Sequence, residues 1–181
     1  MTRVFVVVAL TAALGALFLF GLQPRDARDV DSPFVGAKRA MDDFEAPVVA
    51  RYRPEYGETL RFSEQQGKPL VVNFWASWCI PACWNEAPLW KAAYERYGDE
   101  VLILGINFQD KEADMNEFLD RFDKPFPSVR DPKGVIGIDW GVFGVPETYF
   151  IRADGTLHYK KNGEINGEEI DEHIQALLAG A

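Results

Sequence analysis

Two cysteines, Cys79 and Cys83, are the only ones in the chain, and Ile80, Pro81 and Ala82 separate them. They follow directly on the apolar run 70–75 (LVVNFW) and precede a segment with helical character, so the pair falls where a strand hands over to a helix. That placement suits thiol exchange. The thiolate is the reactive form, and the unpaired N–H groups and positive macrodipole end of a helix start lower a thiol pKa. Exchange also needs a second thiol close enough to resolve the mixed disulfide. The alternative for such a pair is two buried, unreactive thiols. Two cysteines cannot build a disulfide framework, and nothing completes a four-sulfur zinc site, so the sequence assigns no metal.

The spacing restricts the geometry. Four residues apart inside regular helix, the two Cβ atoms would stand about 5 to 6 Å apart, beyond the roughly 3.8 Å that a disulfide prefers. Cys79 must therefore lie outside the helix. Pro81 favours this, because proline is accommodated at the first helical position and biases Ile80 away from helical geometry. A longer spacer changes ring closure by only roughly 0.2 kcal/mol, a few mV on a scale of about 30 mV per 1.4 kcal/mol. Glu86 follows Cys83 by three residues, on the same side of the helix, where it can exchange a proton with that cysteine. A solvated acid in the first turns of a helix is an equally natural role for it. Trp75 is expected in the core and Trp78 at the surface beside the sulfur.

A second motif, GVPET at 144–148, runs into the apolar 149–151 (YFI). Together with NFWASWCIPACWNEAP at 73–88, it resembles the thioredoxin-like branch that includes the DsbE/CcmG, ResA and TlpA proteins, with GVPET most similar to the cytochrome c maturation member. The likeness runs from about Ser32 to the C-terminus and takes in SPFVG at 32–36, GKP at 67–69 and WGVFG at 140–144. The family pattern has two residues between its cysteines, and this chain has three. Trp84 stands where relatives often carry a basic residue.

The resemblance implies a thiol:disulfide oxidoreductase in which Cys79 attacks, Cys83 resolves and Glu86 serves as the acid. Pro146 would be the family's cis-proline, facing the cysteine pair. Trp78, Val145, Pro146, Glu147 and Thr148 would bind substrate, with the Glu147 and Thr148 side chains facing either the groove or water. No cofactor is implied, since the cysteine pair holds the two electrons. The implied partners are apocytochrome c or a thiol-bearing maturation partner, with a membrane electron donor of the CcdA or DsbD kind. A reading from another class is a Sco-like copper chaperone, which also has three residues between its cysteines. Its third ligand is a histidine near Thr148, where this chain has Val145, Pro146 and Glu147. The two histidines, His158 and His173, lie elsewhere in sequence.

The elements that would hold this site follow from patterning. With 181 residues, 48% apolar, the chain suffices for one packed domain. A net charge of −9 argues against nucleic acid and against an anionic membrane surface. Residues 4–22 carry no charge and would span about 28 Å as a helix, so 1–23 is read as a single-pass membrane anchor, with a cleaved signal peptide as the alternative. Arg3 before this span and Arg25 and Arg28 after it do not decide its orientation. The resemblance implies the cytoplasmic (inner) membrane, with the domain on the periplasmic or outer face.

Residues 24–42 read as a linker and 43–181 as the thioredoxin-like domain. Within it, 48–50 and 59–62 suggest an N-terminal hairpin, 70–75 and 101–106 buried strands, and 149–151 with 156–159 a second hairpin turned at Asp154 and Gly155. Helices are expected from the cysteines to a left-handed cap at Gly98, over 113–122, and over 168–178. The expected fold is α/β, a thioredoxin-like mixed sheet with helices on both faces.

Overall fold

The computed structural model describes residues 40–124 and 126–180. The expected anchor, and the linker up to residue 39, lie outside these. Among the described residues no helix is long and apolar enough to cross a membrane.

The strands are β1 (Glu45–Pro47), β2 (Thr59–Arg61), β3 (Leu70–Trp75), β4 (Leu102–Phe108), β5 (Ser128–Asp131), β6 (Glu147–Ile151) and β7 (Leu157–Asn162). The helices are α1 (Arg53–Tyr56), α2 (Ala82–Tyr97), α3 (Glu112–Phe122), α4 (Val135–Trp140) and α5 (Gly167–Ala179). Five strands form a mixed sheet in the order β5-β4-β3-β6-β7. β3 runs parallel to β4 and β4 to β5, whereas β6 is antiparallel to both β3 and β7.

All six residues of β3 are buried, as a central strand covered on both faces requires. Its pleat sends alternate side chains to opposite sides. Val71 packs in a cluster with Trp90 and Ala93 of α2 and Ile170 and Ile174 of α5, and Trp75 stacks on Phe118 of α3 at 4.8 Å. Phe74 points the other way, against Trp140 of α4 at 5.8 Å and Tyr149 at 5.6 Å. Phe44 and Phe62 complete that aromatic group around Trp140. Helices thus cover both faces of a thioredoxin-like mixed sheet.

Several expectations shift. The antiparallel partner of β2 is 45–47 rather than 48–50. Val48 instead bridges Val129 at the edge of β5, and Ala50–Tyr52 form a 3-10 turn held by the Tyr52 N–H on the Val49 carbonyl. The end of the presumed linker is packed: Ala40 bridges Thr156, Met41 is buried, and the Asp42 carbonyl accepts the Trp140 indole N–H at 3.0 Å. Gly98 closes α2 in right-handed geometry, at φ −61°, not as a left-handed cap. A Cβ there would still lie 2.7 Å from the Tyr94 carbonyl oxygen, which accounts for glycine. β5 and α4 were not expected at all. The first is a four-residue edge strand with a polar composition, and the second is under two turns long.

Gly105 of β4 sits opposite Asn73 of β3 and Ser128 of β5. A Cβ at this position would fall 2.3 Å from Ser128 Oγ and 2.8 Å from Trp75 Nε1, both on fully buried side chains. Gly105→Ala is expected to destabilise the fold by about 1–3 kcal/mol through overpacking, measured as a lower urea midpoint with an unchanged slope.

Candidate active site

Cys79 and Cys83 are joined in a disulfide with a Cα–Cα distance of 5.4 Å. Helix α2 begins only at Ala82, so Cys79 lies in the loop and Cys83 in the first turn, the division that the spacing demands. Pro81 is the residue before the helix rather than its first member, and the Ile80-Pro81 bond is cis. The Cys83 N–H points at Cys79 Sγ, 3.3 Å away, and also at the Cys79 carbonyl at 3.1 Å. A helix N-terminus therefore faces the sulfur of Cys79, the more exposed of the two cysteines, where it stabilises thiolate character. Cys79 is 6% exposed and Cys83 3%, and the flanking Trp78 and Ile80 project into solvent at 54% and 65%.

The loop that carries Cys79 is anchored by Asp110, a residue that motif reading passed over. One carboxylate oxygen accepts the Ser77 N–H at 2.6 Å and the other the Ser77 hydroxyl at 2.7 Å. Asn107 of β4 donates to the same carboxylate at 2.9 Å. Two indoles brace the loop from outside: Trp78 donates to the Gln109 carbonyl and Trp84 to the Ser77 carbonyl. Trp78 and Trp84 line a cleft of about 230 Å³ whose far wall is α3, with Asp114 and Glu117 at its rim and Arg121 over the Trp84 ring at 4.6 Å. The only sequence signal for Asp110 is an acid two residues beyond the end of a buried strand.

Glu86, three residues after Cys83 on α2, is 1% exposed. It is no solvated helix-start acid. Its Oε1 accepts the Ile165 N–H at 2.7 Å, and its Oε2 accepts the Trp90 indole at 3.2 Å and the Asn73 amide at 3.4 Å. Burial pushes its carboxyl pKa up to about 7, with the three hydrogen bonds and the Lys124 charge opposing that rise. A group poised there can give or take a proton at neutral pH.

Pro146 is buried, and its bond to Val145 is cis. The Pro146 carbonyl accepts the Gly163 N–H at 2.9 Å. Val145 is half-buried at the surface, with the exposed Phe143 two residues before it. Glu147 and Thr148 face neither groove nor water: their side chains are buried on opposite sides of β6. Thr148 Oγ1 accepts from the Asn73 amide at 3.2 Å. Glu147 forms a buried ion pair with Lys160 at 2.8 Å and accepts the Phe143 N–H at 2.9 Å, while Lys160 also donates to the Gly141 carbonyl at 2.8 Å. This network ties both ends of the loop 141–146 to the sheet. His158 and His173 stand together on β7 and α5, with ring centroids 6.4 Å apart, and His173 stacks on Tyr159. Among the described residues, no three His, Cys, Asp or Glu side chains are grouped to hold a metal ion.

A disulfide at the first turn of the helix that follows the central strand, a cis-proline loop and a buried carboxyl define a thioredoxin-like thiol:disulfide oxidoreductase. The AhpC/TSA family model matches residues 37–160. The chain is 34% identical over 179 residues to the thiol:disulfide interchange protein DsbE of Allochromatium vinosum, covering 98% of this chain and 93% of that one. Against the DsbE of Pseudomonas fluorescens biotype C it is 34% identical over 171 residues, 91% of this chain and 89% of that one. Its fold is similar to that of a secreted Mycobacterium tuberculosis disulfide oxidoreductase homologous to E. coli DsbE, with a TM-score of 0.66 and 28% identity over 74% of this chain and 96% of that chain. The chain belongs to the AhpC/TSA family of thioredoxin-like proteins and, within it, to the DsbE thiol:disulfide interchange proteins.

Two tests follow from the buried charges. Lys160→Met strands the Glu147 carboxylate and is expected to cost about 3–5 kcal/mol, much of it recovered in the double variant with Glu147→Gln, as read by chemical denaturation. Glu86 binds its proton more tightly folded (about 7) than in its ordinary state (4.5), so its contribution to stability is full below pH 4.5 and is lost as pH rises through 7. The stability difference between the native chain and Glu86→Gln should therefore shift by about 3 kcal/mol across that window, and a difference independent of pH would contradict the assignment.

Proposed function

We propose that the chain is a membrane-tethered reductant that opens the disulfide of an apocytochrome c haem-attachment motif, or of a maturation partner carrying that disulfide. The observation that carries this reading is the Cys79–Cys83 disulfide with the buried carboxyl of Glu86 three residues further along α2, in a chain of the DsbE group. The tether is residues 1–23, continued by a linker, with the domain on the periplasmic or outer face. That reading is supported by the uncharged 4–22 run and by the family relationship. An oxidising compartment makes a supply of electrons necessary, and a membrane donor of the CcdA or DsbD kind fits it.

The chemistry proceeds in two exchanges. Cys79, as thiolate at the helix start, attacks one sulfur of the substrate disulfide, and the other substrate sulfur leaves with the electron pair. Glu86 then takes the proton of Cys83, whose sulfur attacks Cys79 Sγ, breaking the mixed disulfide. The substrate ends with two thiols and the protein with its disulfide. Val145 offers a backbone N–H and carbonyl beside the site for an extended polypeptide, since the Pro146 carbonyl is already taken by Gly163. Glu147 and Thr148 act through the shape of the loop, their side chains being buried. Trp78, Ile80 and Phe143 supply exposed apolar surface for the chain of the partner.

The Cys83→Ser variant, mixed with an oxidised peptide carrying a C-x-x-C-H disulfide, should accumulate a mixed disulfide through Cys79, visible by mass spectrometry, whereas Cys79→Ser should form none. The native chain should reduce that peptide. A reduction potential well above about −200 mV, the upper end for glutaredoxin-like pairs, would sink the reductant role.

A further inference from the structure

The cleft between the two indoles and α3 has no part in these steps. Trp78, on its near wall, directly precedes the attacking cysteine. Its volume of about 230 Å³ falls short of the roughly 300–1,000 Å³ of a pocket for a whole small molecule, and suits one long side chain. Both indoles are held in place before anything arrives: Trp78 Nε1 donates to the Gln109 carbonyl at 3.2 Å and Trp84 Nε1 to the Ser77 carbonyl at 3.0 Å. The buried Phe118 lies edge-on to Trp84 at 6.2 Å and stacks on Trp75 at 4.8 Å. A ligand therefore meets fixed aromatic faces and orders little on entry.

The other wall is acidic. Asp114, Glu117, Phe118 and Arg121 share one face of α3 by their helical spacing. Of the acids on this helix, Glu112 pairs with Arg130 and Asp120 with Arg51. Asp114 and Glu117, both exposed, pair with no cation among the described residues. Arg121 stands one turn after Glu117, where a helix-surface ion pair could form, yet its guanidinium lies over the Trp84 ring at 4.6 Å and the Phe122 ring at 6.0 Å. Two carboxylates are thereby left open beside apolar faces, in a chain whose net charge of −9 already favours cationic partners.

We propose that this cleft is a specificity subsite for the disulfide substrate, taking a lysine or arginine side chain that lies within a few residues of the cysteine attacked by Cys79. The methylene stem lies along Trp78 and Phe118 while the cationic head meets Asp114 and Glu117 at the rim. An acidic side chain is repelled there, and an apolar one leaves the carboxylates unused. This rests on the thiol:disulfide reading above and adds the polypeptide chemistry that the site selects. The exchange itself is unaltered: the subsite acts on which disulfide is presented to Cys79.

The test uses the full-length reduced chain and two peptides with the same C-x-x-C-H disulfide, one flanked on both sides by arginine and the other by glutamine. The arginine peptide is expected to show a kcat/KM about tenfold higher at low salt, a preference that fades at about 0.5 M salt as the rim charges are screened. In the double variant Asp114→Asn/Glu117→Gln the preference should fall to about twofold or less. Equal kcat/KM for the two peptides in the native chain, or an undiminished preference in the folded double variant, overturns the proposal. A second arm needs no exchange: the same peptides with serine for both cysteines are titrated into the oxidised chain while the Trp78 and Trp84 indole N–H signals are followed by NMR. Shifts with the arginine peptide that the glutamine peptide does not produce support the subsite. Signals that move with neither peptide overturn it, and so do signals that move only with protein concentration, which would assign the cleft to a second copy of the chain. A chain that reduces neither peptide yet shows the arginine-dependent shifts counts against the functional reading and for the subsite.

Discussion

A carboxyl group within one helical turn of a disulfide cysteine, out of reach of water, is the constraint on which the arrangement of this domain turns. Glu86 can be buried only if donors converge on it, because an unsatisfied carboxylate in the core is prohibitively costly. Those donors come from three places: Asn73 in the middle of β3, Trp90 one turn along α2, and the Ile165 amide in the segment leading to α5. Satisfying all three sets the rotation of α2 about its axis, its height above β3 and the path of the chain into the last helix. Cys83, three residues earlier on α2, is thereby directed to the same side as the acid.

The loop that carries Cys79 and the loop of the cis-proline are held by the same device, each tied to the sheet by one buried carboxylate. Asp110 gathers Ser77 and Asn107, fixing the loop before α2. Glu147, paired with Lys160, gathers the Phe143 amide and fixes the loop before β6. With the backbone so restrained, Trp78, Ile80 and Phe143 can be left in solvent without the loops collapsing onto the core.

The legible parts of the sequence were those where one physical signal dominated. The continuous apolar runs of β3 and β4 could only be strands buried on both faces, and the spacing of the cysteines by itself excluded both from regular helix. Asn73 looked like one polar residue in an apolar strand, and only the fold shows it bridging Glu86 and Thr148. Glu86 had two readings because helix-start acids are commonly solvated, and burial by a segment 79 residues away removes the solvated one. Glu147 and Thr148 were ambiguous because a strand alternates its faces, and both faces of β6 proved to be covered. Asp110 and Lys160 carried no local signal at all. Their roles arise from pairing across the fold, which periodicity cannot report.

The three-residue spacer takes its meaning from where the extra length goes. Helix α2 starts after Pro81, so Glu86, Trp90 and the rest of its buried face keep the registration with β3 that the acid requires. The additional backbone is absorbed on the solvent side: Ile80 and Pro81 are exposed, while the sulfurs stay within 5.4 Å between Cα atoms. A residue added within the helix would have rotated Glu86 by about 100° and put a carboxylate among Ala87 and Ala93's neighbours without donors. Added before it, the residue lengthens the loop and leaves Glu86 in register with its donors. The altered spacer therefore changes the exposed outline of the loop at Ile80 and Pro81 while the buried donors of Glu86 keep their places.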